Sequence, residues 1–195
     1  MTANIRGVLL AAGYSKRFGS NKLLHPLPPG KPDAGVPIAI ASARHFVQAL
    51  PEPIAVIRPR AQKLGKLLRD AGCNTVVCKN AAEGMGVSLA EGVRAADDAH
   101  GWVVALADMP YLKPETVSAI ARALADGASI AAPTYRGARG HPVGFARRFK
   151  GELSALRGDA GAREILAAHP DWVTLCEVDD PGVLRDVDQP SDLDG

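Results

Sequence analysis

The chain has 195 residues, 47% hydrophobic and 23% charged, enough apolar material for one globular domain spanning residues 1–195. A formal charge of +2, with no basic tract and no aromatic-interleaved basic face, argues against a nucleic-acid partner. No apolar run reaches the roughly 18 residues of a membrane helix, residues 1–6 lack a signal-peptide pattern, and Cys73, Cys78 and Cys176 have no Cys-x-x-Cys spacing, so a cytoplasmic protein with reduced thiols is expected.

The first predicted element is a strand ending in Val8-Leu9-Leu10-Ala11-Ala12, apolar on both faces as in a buried parallel strand. It breaks at Gly13 into a loop carrying Ser15, Lys16, Arg17, Gly19, Ser20 and Lys22. Prolines and glycines between Pro26 and Pro37 forbid regular structure, and an alanine-rich helix follows to Leu50. Ile54 to Pro59 reads as a strand, Ala61 to Ala71 as a helix closed by Gly72, and Thr75 to Cys78 as a third strand. A second glycine-bearing loop, Asn80 to Leu89, runs into a helix ending near Ala96.

Trp102 to Ala107 is another wholly apolar strand, and it leads directly into Asp108-Met109-Pro110. A helix from Pro114, a residue favoured at the first helical position, extends to Ala125. Ser129 to Pro133 is a strand, and Thr134 to Phe145 has the glycines of an irregular hairpin. Helices over 148–156 and 162–169 precede a late strand at 172–178 and an acidic tail, Asp186-Val187-Asp188. Strands alternating with helices predict an α/β fold: a single Rossmann-like three-layer domain, mostly parallel in its sheet, with helices on both faces.

In such sheets ligands bind beyond the carboxyl ends of the strands. The loop after the first strand lies there, and small residues with cations suit phosphate oxygens; the same residues also fit an ordinary basic, solvated loop. Asp108 ends a strand at that same edge, where magnesium would take one or two carboxylates plus phosphate oxygens; an aspartate capping the Pro114 helix is the competing reading. Asp186 and Asp188 are candidates for a second carboxylate, against a solvated tail. The loop is neither Gly-x-x-x-x-Gly-Lys-Ser/Thr nor Gly-x-Gly-x-x-Gly, and no nucleophile–base pair is evident. Positioning and charge neutralisation without a nucleophilic side chain suit phosphoryl-type transfer.

Leu10-Ala11-Ala12-Gly13-x-Ser15-x-Arg17-Phe18-Gly19-x-x-Lys22-Leu23-Leu24 resembles the signature of the nucleotidyltransferases that include the molybdenum-cofactor guanylyl- and cytidylyltransferases. The resemblance continues through Gly84-Met85-Gly86-x-Ser88, Leu106-Ala107-Asp108-Met109-Pro110, Arg139-Gly140-His141-Pro142-Val143, Gly158-Asp159-x-Gly161-Ala162-Arg163 and Asp186-Val187-Asp188-Gln189-Pro190. Leu-Ala-Ala-Gly is similar to the cytidylyl branch, whereas the guanylyl branch tends to have a second glycine.

The resemblance implies transfer of CMP from CTP to the terminal phosphate of molybdopterin, with release of pyrophosphate and dependence on Mg2+. GTP or another nucleotide, or a sugar or polyol phosphate acceptor, is the alternative within the class, and a non-catalytic nucleotide or pterin carrier the alternative outside it. By the same resemblance Leu10, Ala11, Ala12 and Gly13 hold the base and sugar, joined by Asn80, Gly84 and Ser88. Arg17 and Lys22 bind the triphosphate, Asp108 and Asp188 hold the metal, and Arg139 and His141 meet the acceptor. A recipient molybdoenzyme or its maturation factor is an implied partner. The segment from Pro26 to Pro37 is longer than the compact stretch usual in the family.

Overall fold

The computed structural model describes residues 4–15, 18, 19, 21–159 and 161–193. Among them, β1 (Ile5–Ala11), β2 (Ile54–Ile57), β3 (Asn74–Val77) and β4 (Gly101–Leu106) pair in parallel in the order β3-β2-β1-β4. The far side holds β5 (Ile130–Tyr135), β6 (Ala138–Arg139), β7 (Val143–Ala146) and β8 (Val173–Glu177). β7 lies antiparallel between β4 and β5, β6 folds back on β5, and β8 runs parallel to β5. The result is one eight-stranded, mostly parallel sheet.

Alternation along the strands sorts the core into two layers. Val8, Trp102 and Val104 face α3 (Met85–Ala95), α5 (Lys150–Ala155) and α6 (Arg163–Ala168); Leu9, Val103 and Ala105 face α1 (Ile38–Ala49), α2 (Gln62–Asp70) and α4 (Pro114–Ala125). Both faces of β1 and β4 are therefore covered, as their unbroken apolar runs require. Each fully buried Val or Leu side chain among these is worth about 1.5–3 kcal/mol. No helix among the described residues is long and apolar enough to cross a membrane.

Helices and parallel strands fall within a residue or two of the expected positions. The stretch from Thr134 to Phe145 differs: its second half is a core strand, β7, with Val143 and Phe145 buried. The glycine-rich reading of this stretch obscured it. Gly144 is needed because a side chain there would run into Ile120 and Leu124 of α4, with β-carbon contacts of 2.8–2.9 Å. The proline-rich segment is a closed excursion. Pro26 pairs with Pro37, the Leu27 N–H donates to the Val36 carbonyl (2.9 Å), and buried Leu27 packs with Phe18, Ile38, Val187 and Leu193.

Candidate active site

The carboxyl ends of β1 and β4 open into a cleft of about 810 Å³, lined among others by Leu10, Ala12, Gly13, Gly84, Ser88 and Asp108. A β-carbon built on Gly13 meets no atom of the described residues within 4 Å, and Gly13 itself lines the cleft. Lys22, Arg139, His141 and Asp188 complete the set from the chain's other segments. The cleft volume lies within the 300–1,000 Å³ of typical small-molecule sites.

At its centre is a buried cation between two carboxylates. Lys22 is 7% exposed, and its Nζ donates to Asp108 Oδ2 at 2.8 Å and to Asp188 Oδ1 at 3.3 Å. Residues 86 and 166 positions away along the chain thus meet at one ammonium. Asp108 is placed by β4 and by Ser42 of α1, whose hydroxyl lies 3.1 Å from the Ala107 carbonyl. Its other oxygen, Oδ1, is buried without a hydrogen-bond partner among the described residues. Burial pushes the Asp108 carboxyl above its ordinary range; the Lys22 ammonium opposes this, and Asp186 adds to it.

The tail is presented to the site by three fastenings. Val187 N–H donates to the Asp108 carbonyl (2.9 Å), and His141 N–H donates to the Val183 carbonyl (2.9 Å). Asp192 accepts from the backbone of Asp188 and Gln189 (2.8 and 2.9 Å). Further back, buried Asp180 accepts from Lys113 N–H (2.9 Å), Thr116 Oγ1 (2.7 Å) and Gly182 N–H (2.9 Å). The carboxylate at the start of the Pro114 helix is therefore Asp180, not Asp108, which disposes of the capping reading of Asp108.

His141 faces the same cleft. Burial holds its imidazole below the usual range against the pull of Asp108 and Asp186, and its Nδ1 is buried without a partner among the described residues. A neutral ring is thereby kept beside two carboxylates. Arg139 is exposed at the rim. Two expected contacts lie elsewhere: Ala11 is buried against the α1 and α2 layer, and Asn80 is exposed outside the cleft lining. Ala81 and Ala82 of the same turn line the cleft instead. Arg17 lies outside the described residues.

The glycines of the second loop serve packing. A β-carbon on Gly84 would sit 2.3 Å from Gly158 backbone atoms, at a φ of 129° that also favours glycine, and the Gly86 N–H donates to the Gly158 carbonyl (2.8 Å). The Gly84 and Gly158 motifs, 74 positions apart by numbering, thus press together and bring Asp159 and Arg163 to the cleft.

The model for the MobA-like NTP transferase domain matches residues 7–173, most of the chain, from within β1 to the start of β8. The chain belongs to the MobA-like NTP transferase family. It is 31% identical over 207 aligned positions to the purine catabolism protein PucB of Bacillus subtilis, covering 96% of this chain and 93% of PucB. It is 29% identical to the nicotine blue oxidoreductase of Paenarthrobacter nicotinovorans, over 94% and 92% of the two chains. Among solved structures, Rv0371C of Mycobacterium tuberculosis, in complex with manganese, superposes with a TM-score of 0.76 at 29% identity, over 97% and 95% of the two chains.

Within this family frame, four features of the site had little signal in the sequence. Asp180 belongs to none of the motifs that carry the resemblance. Arg58, whose Nη1 donates to the Gly13 carbonyl (3.2 Å) and whose guanidinium lies 4.8 Å from the Tyr14 ring centre, sits beyond a short strand. Tyr14 itself lines the cleft, as does Arg163. A hint existed only for Arg163, in the resemblance that includes Gly158 and Gly161.

Proposed function

We propose that this protein transfers a cytidylyl group from CTP to the terminal phosphate of molybdopterin, releasing pyrophosphate. The observation that carries the reading is the Lys22 ammonium held between Asp108 and Asp188 at the sheet's carboxyl edge, with Asp108 Oδ1 buried and unpartnered. A donor set of two carboxylates, one with an unused buried oxygen, fits a magnesium ion that takes its other ligands from phosphate and water. Among the described residues no group of three or more His, Cys, Asp or Glu could hold a metal alone, which agrees with a site shared with the substrate. The manganese complex of Rv0371C supports the same kind of ion.

Asp108 and Asp188 would hold that ion, which when bound supplies positive charge where the reacting phosphate gains negative charge. Lys22 neutralises phosphate oxygens, joined by Arg17. The acceptor phosphate is ionised near neutral pH, so no side chain has to remove a proton. His141, neutral and facing the carboxylates, stands where an acceptor would enter. Leu10, Ala12 and Gly13 border the space for base and sugar, and the β-carbon of Ala12 supports CTP over GTP by resemblance to the cytidylyl branch.

Thermal stabilisation by CTP, GTP, ATP and a reduced nicotinamide dinucleotide, each with magnesium, tests the reading. Pyrophosphate release with molybdopterin is followed in parallel. Selective stabilisation by CTP and pyrophosphate release are expected. Preference for GTP overturns the base assignment, and preference for the dinucleotide without pyrophosphate release overturns the transferase reading.

A further inference from the structure

One edge of the sheet ends in an unprotected strand. β8 pairs with β5 alone, and among the described residues its other side meets no strand. The ladder with β5 runs without a bulge from Val173 to Glu177, and the Val178 N–H donates to the Thr134 carbonyl (2.9 Å). Alternation from that bond turns the N–H and C=O of Thr174 and Cys176 toward β5 and those of Val173, Leu175 and Glu177 outward. The Val173 N–H is taken by the Pro170 carbonyl. The Val173 carbonyl and both backbone groups of Leu175 and Glu177 stay open. Natural edges are blunted by proline, lysine or a bulge; Val173-Thr174-Leu175-Cys176-Glu177 has none of these.

The side chains around this edge suit a copy of the same edge. Leu175 is 58% and Trp172 42% exposed, two large apolar surfaces beside open backbone. Val173 packs into the α3, α5 and α6 layer and Cys176 into the opposite one, so Leu175 and Glu177 project on the Val173 side. The Trp172 ring lies on that side too, 5.9 Å from the Phe149 ring, with the Arg148 guanidinium 4.2 Å from its centre. One end of the edge thus presents a guanidinium. At the other, the exposed Glu177 carboxylate forms no hydrogen bond or ion pair among the described residues.

We propose that the chain forms a two-fold dimer by antiparallel pairing of β8 with the β8 of a second copy, Leu175 against Leu175 on the axis. The Leu175 N–H of each copy then donates to the Leu175 carbonyl of the other, and the Glu177 N–H to the other's Val173 carbonyl. The charges choose this register: Glu177 comes opposite Val173 of the other copy, one residue from the Trp172 that carries Arg148. Asp171 and Asp179 come level at the same junction, but both are exposed, beyond the strand ends and screened by solvent. β8 runs parallel to β5 and, by way of antiparallel β7, to β4 and β1. Antiparallel joining therefore sets the two clefts at opposite edges of one continuous sheet, both open. The dimer is independent of the transferase reading.

One five-residue strand per copy is a small contact beside the roughly 1,600 Å² of a standard interface, so a weak dimer is expected, with a Kd of about 10–100 µM. Sedimentation velocity on the whole chain, from about 5 to about 500 µM, measures it. Wild type is expected to pass from monomer to dimer across this range. Leu175→Lys and Glu177→Arg each change an exposed side chain, and each is expected to weaken the dimer at least about tenfold. Arg148→Glu joined to Glu177→Arg exchanges the two charges and is expected to recover most of the loss caused by Glu177→Arg alone. A wild type that is monomeric throughout overturns the proposal and leaves the edge to an extended segment of another protein. A dimer that both single variants leave intact overturns it as well, as does a charge exchange that recovers nothing.

Discussion

Replacing Lys22 by Met keeps most of the stem's volume and removes the charge that Asp108 and Asp188 share. Removing one partner from a buried ion pair commonly costs 3–5 kcal/mol, roughly, because the other charge is left uncompensated. Here the cost has a ceiling, since Asp108 can take up a proton instead. At 1.36 kcal/mol per unit and an ordinary carboxyl pKa of about 3.9, protonation at pH 7 costs about 4 kcal/mol. Asp188, with a side chain 33% exposed, is partly solvated and adds less. A loss of about 3 kcal/mol is therefore expected at pH 7.

The sign of the pH dependence follows. In the variant the Asp108 carboxyl is raised further above its unfolded value, since burial persists and Lys22 no longer opposes it. The penalty is absent below the unfolded pKa and grows as pH rises through the window between the unfolded and folded values. At pH 4.5 it falls below about 1 kcal/mol by the same conversion. Urea denaturation of wild type and Lys22→Met at pH 7 and pH 4.5 measures this, with manganese expected to recover part of the loss at pH 7. A penalty that is equal at both pH values, or none at pH 7, refutes the reasoning that Lys22 compensates buried carboxylates.

Other substitutions test the supports of the site. Asp180→Asn turns an amide N–H₂ toward donors on Lys113, Thr116 or Gly182 and is expected to cost about 2–3 kcal/mol in chemical denaturation. Gly140→Ala puts a β-carbon 2.2 Å from the Val183 carbonyl; the tail must shift, and turnover is expected to fall at least about tenfold with a cooperative unfolding transition retained. Burial raises the Cys73 thiol to about 11. Its contribution is present below the unfolded value of 9.0 and is lost as pH climbs toward 11, so wild type should lose about 2 kcal/mol more than Cys73→Ala between pH 8 and pH 10.5. Parallel urea midpoints for the two proteins would refute that assignment.

How far the sequence could be read depended on the range of the interaction involved. The apolar runs at Val8–Ala11 and Val103–Leu106 encode strands buried on both faces, a local pattern, and they place Gly13 and Asp108 at one edge without further information. The insertion of β7 between β4 and β5 is a pairing choice: Val143-Gly144-Phe145 carries too short a pattern to reveal two strand neighbours. Nor could spacing distinguish Asp186 from Asp188. Two residues apart, they differ in which one meets an ammonium contributed from position 22, and that is decided by the Val187 bond to the Asp108 carbonyl.

Glycines illustrate the same limit from the other side. Gly13 and Gly84 looked alike as members of glycine-bearing loops, yet one faces open cleft and the other is pressed onto the backbone of Gly158. The difference bears on function. A side chain at Gly13 would project into the cleft and meet no described residue, whereas one at Gly84 would collide with the backbone of Gly158 and Asp159 and displace a segment that lines the cleft. The second glycine motif therefore shapes the cleft through packing, by way of the Asp159 and Arg163 that it brings there.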